Sequence, residues 1–279
     1  MEWLVGLAGS VVIAGAASRK RSLSGSGFAA AVVLGTVMYG LGSAVWFGTL
    51  IAFFISSTLL SRWKKKRKEA AESGYEKSGR RDAGQVAANG GLALLLCVGA
   101  VVWPHPVWWF AFLGVMASVN ADTWATEIGG LSRTPPRSIL TGKRVTAGTS
   151  GGVSALGLAA SVAGGLFIGL TAWLLMEAIP GQIEPSGTES GLVRLASWAA
   201  LGLIGGTAGS LCDSLLGATV QLMFRCGVCG REVEQRRHCG RQTERIRGFF
   251  GWNNDAVNVV GSAAGGLVTV AGALLLGLL

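Results

Sequence analysis

Long apolar stretches separated by short polar loops dominate this sequence. A helix needs about 20 predominantly apolar residues to cross a bilayer. The pattern predicts eight such segments, at residues 3–17, 28–40, 43–60, 85–102, 107–121, 151–176, 192–224 and 257–279. We therefore expect an all-α fold, a polytopic transmembrane helical bundle of about eight helices that forms a single integral membrane domain over residues 1–279.

The composition fits a protein that lies in a bilayer. Half of the 279 residues are hydrophobic and only 14% are charged, whereas a soluble domain carries about 25% charged residues. The 44 glycines favour close packing, because small residues let transmembrane helices approach one another. We expect a multi-pass integral membrane protein, which lies in the plasma membrane if the source is prokaryotic.

The basic residues predict the orientation of the chain. All but one of the 24 lysines and arginines lie in four alternate loops, around residues 19–21, 61–84, 122–149 and 225–255. Cytosolic loops carry an excess of Lys and Arg. The loop at residues 180–191, on the other side of the membrane, carries Glu184 and Glu189 instead. We expect cytosolic basic loops and external N- and C-termini. Nucleic acid is not an expected partner, because these charges flank membrane spans and suit anionic head groups.

Acidic residues occur where membrane segments should be apolar. Asp122 and Glu127 follow a strongly apolar run, Asp213 lies well inside the seventh segment, and Asp255 opens the eighth. An ionisable group at membrane depth is costly unless it has a partner, so it indicates a functional site. The alternative for Asp122 and Glu127 is that they merely cap a helix in water. We predict that the four acids are catalytic.

Carboxylate and amide oxygens together suit Mg²⁺ that holds substrate phosphates. The predicted magnesium ligands are Asp122, Glu127, Asp213, Asn254, Asp255 and Asn258.

Other polar residues at the same ends of the segments suit phosphate. Arg81, Gln85 and Asn89 are four residues apart and share one face of a helix. The glycine-rich turn at residues 148–154 could expose backbone N–H groups to an anion, although helix packing explains its glycines equally well. The predicted nucleotide or phosphate ligands are Arg81, Gln85, Asn89, Lys143, Gly148, Ser150, Gly151, Ser154, Ser214 and Gln221.

Four potential metal ligands cluster in the last basic loop. Cys226 and Cys229 form a Cys-x-x-Cys pair, and His238 and Cys239 follow. Disulfides are rare in the cytosol, so this spacing favours a small zinc-binding loop. A metal-free loop is the alternative.

Five motifs in order resemble a known family. They are Gln-Val-x-Ala-Asn-Gly-Gly from Gln85, Ala-Asp-Thr-Trp-Ala-Thr-Glu-Ile-Gly from Ala121, Gly-Thr-x-Gly-Gly-Val-Ser from Gly148, Gly-Ser-x-x-Asp-Ser-Leu-Leu-Gly-Ala-Thr-Val-Gln from Gly209 and Asn-Asp-x-Val-Asn from Asn254. The chain resembles the integral membrane proteins of domain-of-unknown-function family 92, which include the animal transmembrane protein 19 and the plant chloroplast phytyl-phosphate kinase. The resemblance implies nucleotide-dependent phosphorylation of an isoprenyl monophosphate. A looser similarity to dolichol-kinase-like and cytidylyltransferase-like membrane enzymes implies that the nucleotide is CTP.

These observations lead to one functional hypothesis and one alternative. The hypothesis is a membrane-embedded kinase, a phosphotransferase that converts an isoprenyl or polyprenyl monophosphate to the diphosphate with CTP or ATP and Mg²⁺ at the cytosolic face. The alternative is an ion-coupled transporter or lipid-phosphate flippase, because buried acids and glycine-rich helices also suit carriers. A carrier needs polar groups reachable from both sides. The outer halves of these segments are almost purely apolar, which favours the enzyme.

Overall fold

The computed structural model describes residues 1–77, 79–181 and 191–279. Eight helices of 18 to 29 residues and one short helix occur in these ranges. They are α1 (Glu2–Arg19), α2 (Gly25–Gly42), α3 (Ala44–Arg62), α4 (Lys65–Glu72), α5 (Ala83–Val102), α6 (Val107–Gly129), α7 (Ala155–Ala178), α8 (Gly191–Thr219) and α9 (Asn254–Leu275). The acidic loop residues Glu184 and Glu189 lie outside the described residues.

The long helices match the predicted segments in number and order. By length and composition, α2, α3, α5, α7, α8 and α9 can each cross a membrane. The other two long helices carry charged residues, Glu2 and Arg19 in α1 and Asp122 and Glu127 in α6. The predicted fold class, a polytopic helical membrane protein, is confirmed.

At the end of the bundle that carries the basic loops, three predicted segment boundaries were wrong by four residues or more. Helix α6 continues to Gly129, so Asp122 and Glu127 lie on the helix and not in the loop at 122–149. Helix α7 begins at Ala155 because Ser154 caps it, four residues later than predicted. Helix α8 ends at Thr219, before the predicted 224, because the chain then enters a β-sheet.

Short strands add structure to two of the basic loops. The strands are β1 (Arg137–Ser138), β2 (Gly152–Val153), β3 (Met223–Arg225), β4 (Glu232–Val233), β5 (Arg237–His238), β6 (Arg241–Gln242) and β7 (Glu244–Arg247). β1 pairs with β2, β3 lies between β4 and β7, and β5 pairs with β6, all antiparallel. We call residues 223–247 the β-module.

Helices α6 to α9 form the most extensively packed part of the bundle. Glycines bring their backbones together, since a Cβ atom at Gly202 of α8 would lie 2.6 Å from the carbonyl oxygen of Gly165 in α7. A Cβ atom at Gly209 of α8 would meet Ser118 of α6 and lie 2.9 Å from the carbonyl oxygen of Gly261 in α9. Close backbone approach drives helix association in lipid, where burial of apolar side chains gains little.

Large aromatic side chains close the end of the bundle that lies away from the basic loops. Trp46, Trp109 and Phe112 are buried, with ring centroids 4.4 to 5.1 Å apart. Trp198 stacks on Phe110 with a centroid separation of 5.3 Å. We call these five residues the aromatic cluster. It fills the interior between α3, α6 and α8 with side chains that have no charge.

Candidate functional site

A cavity of about 1180 Å³ opens at the end of the bundle where the four basic loops meet. Helices α5, α7 and α9 begin at this end, and α3, α6 and α8 finish there. Many of the predicted site residues line the cavity. They are Arg81, Gln85, Asn89, Asp122, Glu127, Gly148, Ser150, Gly151, Ser154, Asp213, Ser214, Asn254, Asp255 and Asn258.

Two predicted phosphate ligands do not line the cavity. Lys143 is an exposed loop residue, and its neighbour Arg144 lines the cavity instead. Gln221 is buried. Its side-chain oxygen accepts a 2.5 Å hydrogen bond from the Ser150 hydroxyl, and its side-chain NH₂ group donates to Glu234 at 2.9 Å. Gln221 therefore ties the turn that contains Ser150 to the β-module. The predicted zinc ligands also lie away from the cavity lining.

Asp122 on α6 and Asp213 on α8 lie close enough for their charges to interact. The hydroxyl of Ser210 donates to Oδ1 of Asp122 at 3.4 Å. Oδ2 of Asp213 is shielded from solvent and has no hydrogen-bond partner among the described residues. The charge of Asp213 also lies close enough to those of Asp122 and Glu234 to be repelled by them.

An unpartnered carboxylate oxygen among other carboxylates is a costly arrangement in a protein interior. A divalent cation would supply both the missing partner and the missing charge, and Mg²⁺ prefers carboxylate oxygens. Asp122 and Asp213 therefore fit a magnesium site, as do the cavity-lining oxygens of Asn254, Asp255 and Asn258 nearby on α9.

Asp255 has a basic partner from a distant loop. Nζ of Lys77 lies 2.5 Å from Asp255 and 3.3 Å from Asp82. Partial burial lowers the pKa of Lys77, but hydrogen bonds and charge from Asp255 and then from Asp82 outweigh it and raise the pKa above its usual range. Lys77 thus joins the starts of α5 and α9.

Glu127 is the most completely partnered of the four acids. One carboxylate oxygen accepts from the hydroxyl of Ser61 and the other forms an ion pair with Lys68. Lys68 is only 2% exposed and also donates to the carbonyl oxygen of Leu60 at 2.9 Å. Both oxygens of Glu127 already have donors, so this geometry suits a positioning role better than metal binding.

Arg81 is held beside this ion pair. Its guanidinium donates to the hydroxyls of Thr58 at 3.1 Å and Ser61 at 3.4 Å. Burial lowers the pKa of Arg81, and the charge of Glu127 partly opposes that shift. A guanidinium has five N–H donors, so Arg81 keeps donors available for a ligand in the cavity.

The glycine-rich turn at residues 148–154 combines packing with cavity lining. Gly148 and Gly151 have φ angles of +85° and +81°, which favour glycine. A Cβ atom at Gly151 would also collide with Ala218 of α8. Packing therefore explains Gly151, while the backbone of the turn lines the cavity.

Three helix N-termini are capped beside the cavity. Asp82 accepts from the backbone N–H of Gln85 at 2.8 Å, and Ser154 and Asn253 cap α7 and α9 in the same way. The hydrogen bond from Gln85 lowers the pKa of Asp82. In return, the side-chain oxygen of Gln85 accepts from the Asp82 backbone at 3.2 Å, so capping occupies this predicted phosphate ligand in part. Helix N-termini carry partial positive charge that favours anions.

Glu234, at the end of β4, was not among the predicted site residues although it lines the cavity. It accepts from the side-chain amide of Gln221 at 2.9 Å and from the backbone N–H of Glu76 at 3.1 Å. Burial raises its pKa. No sequence signal marks Glu234, because it lies in a polar loop that only the fold brings to the cavity. No sequence signal marks Lys68 either, because it is one basic residue in a run of five.

The four predicted zinc ligands come together in the β-module. One ligand atom from each of Cys226, Cys229, His238 and Cys239 lies within 4.8 Å of the others. Sγ of Cys229 and Sγ of Cys239 lie 3.5 and 3.3 Å from Nδ1 of His238.

The fold and the cavity define a polytopic helical membrane protein with an acid-rich cavity at one end of its bundle. The chain belongs to the DUF92 family of integral membrane proteins, whose family model matches residues 8–266. This confirms the resemblance drawn from the five motifs.

Known relatives cover nearly the whole chain. Protein PGR of Arabidopsis thaliana is 30% identical over 90% of this chain and 89% of its own length. The uncharacterized membrane protein MJ0933 of Methanocaldococcus jannaschii is 29% identical over 97% of this chain and 95% of its own. The chloroplastic protein VTE6 of Arabidopsis thaliana is 28% identical over 89% of this chain and 64% of its own. No solved structure gives a significant match.

Proposed function

We propose that the protein is a membrane-embedded kinase that phosphorylates an isoprenyl or polyprenyl monophosphate. A phosphate oxygen of the lipid attacks the γ-phosphorus of CTP or ATP. The bond from that phosphorus to the β-phosphate bridging oxygen breaks, and the products are a lipid diphosphate and a nucleoside diphosphate. The observation that carries the proposal is the unpartnered carboxylate of Asp213 beside Asp122, in a cavity that also contains Arg81.

The chemistry of phosphoryl transfer asks little of the protein beyond position and charge. Mg²⁺, when bound, would neutralise phosphate charge, held by Asp122, Asp213 and Asp255 with Asn254 and Asn258. Arg81 would donate to phosphate oxygens where charge develops. Glu127, through Lys68, fixes the end of α6 on which Asp122 lies.

The cavity has room and charge for both phosphate substrates. Its volume of about 1180 Å³ exceeds the roughly 300–1,000 Å³ of most small-molecule sites. The starts of α5, α7 and α9 direct backbone N–H groups toward the same end. Together with the turn at 148–154, they favour several phosphate groups at once.

An apolar crevice beside the cavity suits the lipid tail. This crevice of about 60 Å³ lies between α1, α2, α3 and α5 and is lined by apolar residues such as Leu34, Leu50 and Phe54. Arg81, Gln85 and Asn89 line both the crevice and the large cavity. An isoprenyl chain that parts these helices would present its phosphate to Arg81. The family resemblance to the phytyl-phosphate kinase supports this class of lipid.

The aromatic cluster supports an enzyme over a carrier. A carrier must expose its binding site to each side of the membrane in turn. The cavity opens at the basic end, and Trp109, Phe112 and Trp198 fill the interior beyond it with exposed fractions of 3% or less. Within the part of the chain that the structure describes, the cavity therefore opens at the basic end, and this supports an enzyme with access from one side.

Turnover by the purified protein tests the proposal. The protein in detergent is supplied with CTP or ATP, Mg²⁺ and a panel of isoprenyl monophosphates, and nucleoside diphosphate and lipid diphosphate are measured. Asp213→Asn keeps the side-chain size but loses the charge, so we expect turnover to fall by at least about 100-fold. The matched control is Glu177→Gln, since Glu177 pairs with Arg194 outside the cavity.

Two results would contradict the proposal, the first for the role of Asp213 and the second for the kinase activity itself. A fully active Asp213→Asn variant would remove the central role of that carboxylate. Absence of turnover with every donor and lipid, in protein that unfolds cooperatively, would favour transport. Flux of a lipid phosphate in proteoliposomes would then measure the alternative directly.

A further inference from the structure

We infer that Cys226, Cys229, His238 and Cys239 bind one structural Zn²⁺, which folds the β-module and so holds Glu234 and the loop that carries Lys77 beside the cavity. Three thiols and one imidazole are a common ligand set for structural zinc. The ligands come from two separate segments, the turn after β3 and the end of β5 with the residue that follows it. The ion would therefore join the three-stranded sheet to the β5–β6 hairpin.

The distances fit a single tetrahedral ion. With zinc bonds of about 2.3 Å to sulfur and 2.1 Å to nitrogen, tetrahedral ligand atoms lie about 3.6 to 3.8 Å apart. The observed Sγ to Nδ1 distances are 3.5 and 3.3 Å, and all four ligand atoms lie within 4.8 Å of one another. A cluster with two iron atoms would spread its ligands farther. Soft thiolate ligands in this geometry select zinc over magnesium.

The β-module needs such an ion because its core is small. Its strands contain two to four residues each, and its buried apolar residues include Met223, Phe224 and Val233. Units below about 40 residues rarely bury enough apolar surface to fold without disulfides or metals. Binding of zinc supplies that missing free energy directly.

The module holds the loop that carries Lys77. The backbone N–H of Glu234 donates to the carbonyl oxygen of Gly74 at 2.8 Å, and the side chain of Gln235 donates to the carbonyl oxygen of Tyr75 at 2.7 Å. Glu234 also accepts from the backbone of Glu76. The loop then places Lys77 against Asp255. Zinc would therefore stabilise the cavity wall, whichever reaction the cavity performs.

Metal analysis of the full-length protein tests the inference. The protein is purified in detergent through an affinity tag without histidines, and its zinc content is measured by elemental analysis. We expect about one Zn²⁺ per chain in the wild type and a loss of most of it in Cys229→Ser and Cys239→Ser. Cys97→Ala is the matched control, because Cys97 is buried in α5 away from the cluster, and it should retain zinc.

Two further measurements separate this inference from the kinase. Replacement of zinc by Co²⁺ should give the strong visible absorption of a tetrahedral thiolate site. Chelation should speed hydrogen exchange in residues 73–77 and 223–247 while α6 to α9 stay protected. Wild-type protein without zinc that also fails to bind Co²⁺ would overturn the inference. Neither readout depends on turnover, so each proposal can fail alone.

Discussion

At the scale of single residues, the acids of the cavity differ in their partners. Asp213 has an unpartnered oxygen, Asp255 pairs with Lys77, and Glu127 is engaged by Lys68 and Ser61. A carboxylate whose lone pairs are already engaged has less to offer a cation. The activity test on Asp213 therefore addresses the most available of these groups.

Removal of Lys68 should destabilise the protein strongly. Lys68→Met would leave the carboxylate of Glu127, which is 16% exposed at the cavity lining, without its ion-pair partner. Because solvent in the cavity screens part of that charge, we expect a cost of about 2 to 3 kcal/mol. We expect this loss in the free energy of unfolding, measured by denaturant titration in detergent.

The matched control removes both charges. Lys68→Met combined with Glu127→Met replaces the buried pair by apolar side chains and should recover most of the loss. A single Lys68→Met variant as stable as the wild type would show that the pair is not buried as described.

At the scale of helices, glycine positions test the packing of the core. Gly209→Ala would force a methyl group against Ser118 and Gly261, so we expect a loss of about 2 kcal/mol. Gly91→Ala is the matched control on α5, since a Cβ atom there meets nothing within 4 Å. It should be neutral or gain up to about 1 kcal/mol of helix propensity. Equal changes in unfolding temperature for the two variants would contradict the close packing of α8 against α6 and α9.

The capping residue of α5 predicts a pH dependence. The pKa of Asp82 is lower in the folded protein than its usual 3.8, so its ionised form stabilises the fold above that value. This stabilisation is lost as the pH falls through the folded pKa. Asp82→Asn keeps a good capping side chain but has no such charge.

The difference in stability between wild type and Asp82→Asn should therefore be fully present above the usual pKa of 3.8 and be lost as the pH falls through the lowered pKa of the folded protein. Unfolding of both proteins across this range measures it. A difference that is the same at every pH would mean that the cap acts through shape alone.

At the scale of the whole molecule, the orientation in the membrane remains a prediction. The four basic loops meet at the cavity, and the excess of Lys and Arg predicts that this end is cytosolic. Fusions at Leu279 test it in a bacterial host. Alkaline phosphatase should be active there and green fluorescent protein dark. The reverse result would place the cavity outside the cytosol.

The sequence alone determined the class of the protein and the end of the bundle at which its polar residues gather. Hydropathy is summed over neighbours in the chain, so the apolar segments were visible without coordinates. The five motifs identified the family for the same reason, because each motif is continuous. The Cys and His spacing likewise predicted a compact ligand set that the fold brings together.

Only the tertiary structure decided which polar groups are paired. Lys68 meets Glu127 across 59 residues and Lys77 meets Asp255 across 178, and no local pattern distinguishes these lysines from their neighbours. The end of α8 and the position of Glu234 depend on strand pairing in the β-module. Gly151 is fixed by contact with Ala218 of another helix. Ion pairs, close packing and strand pairing act between atoms that are near in space, so their partners emerge only when the chain is folded.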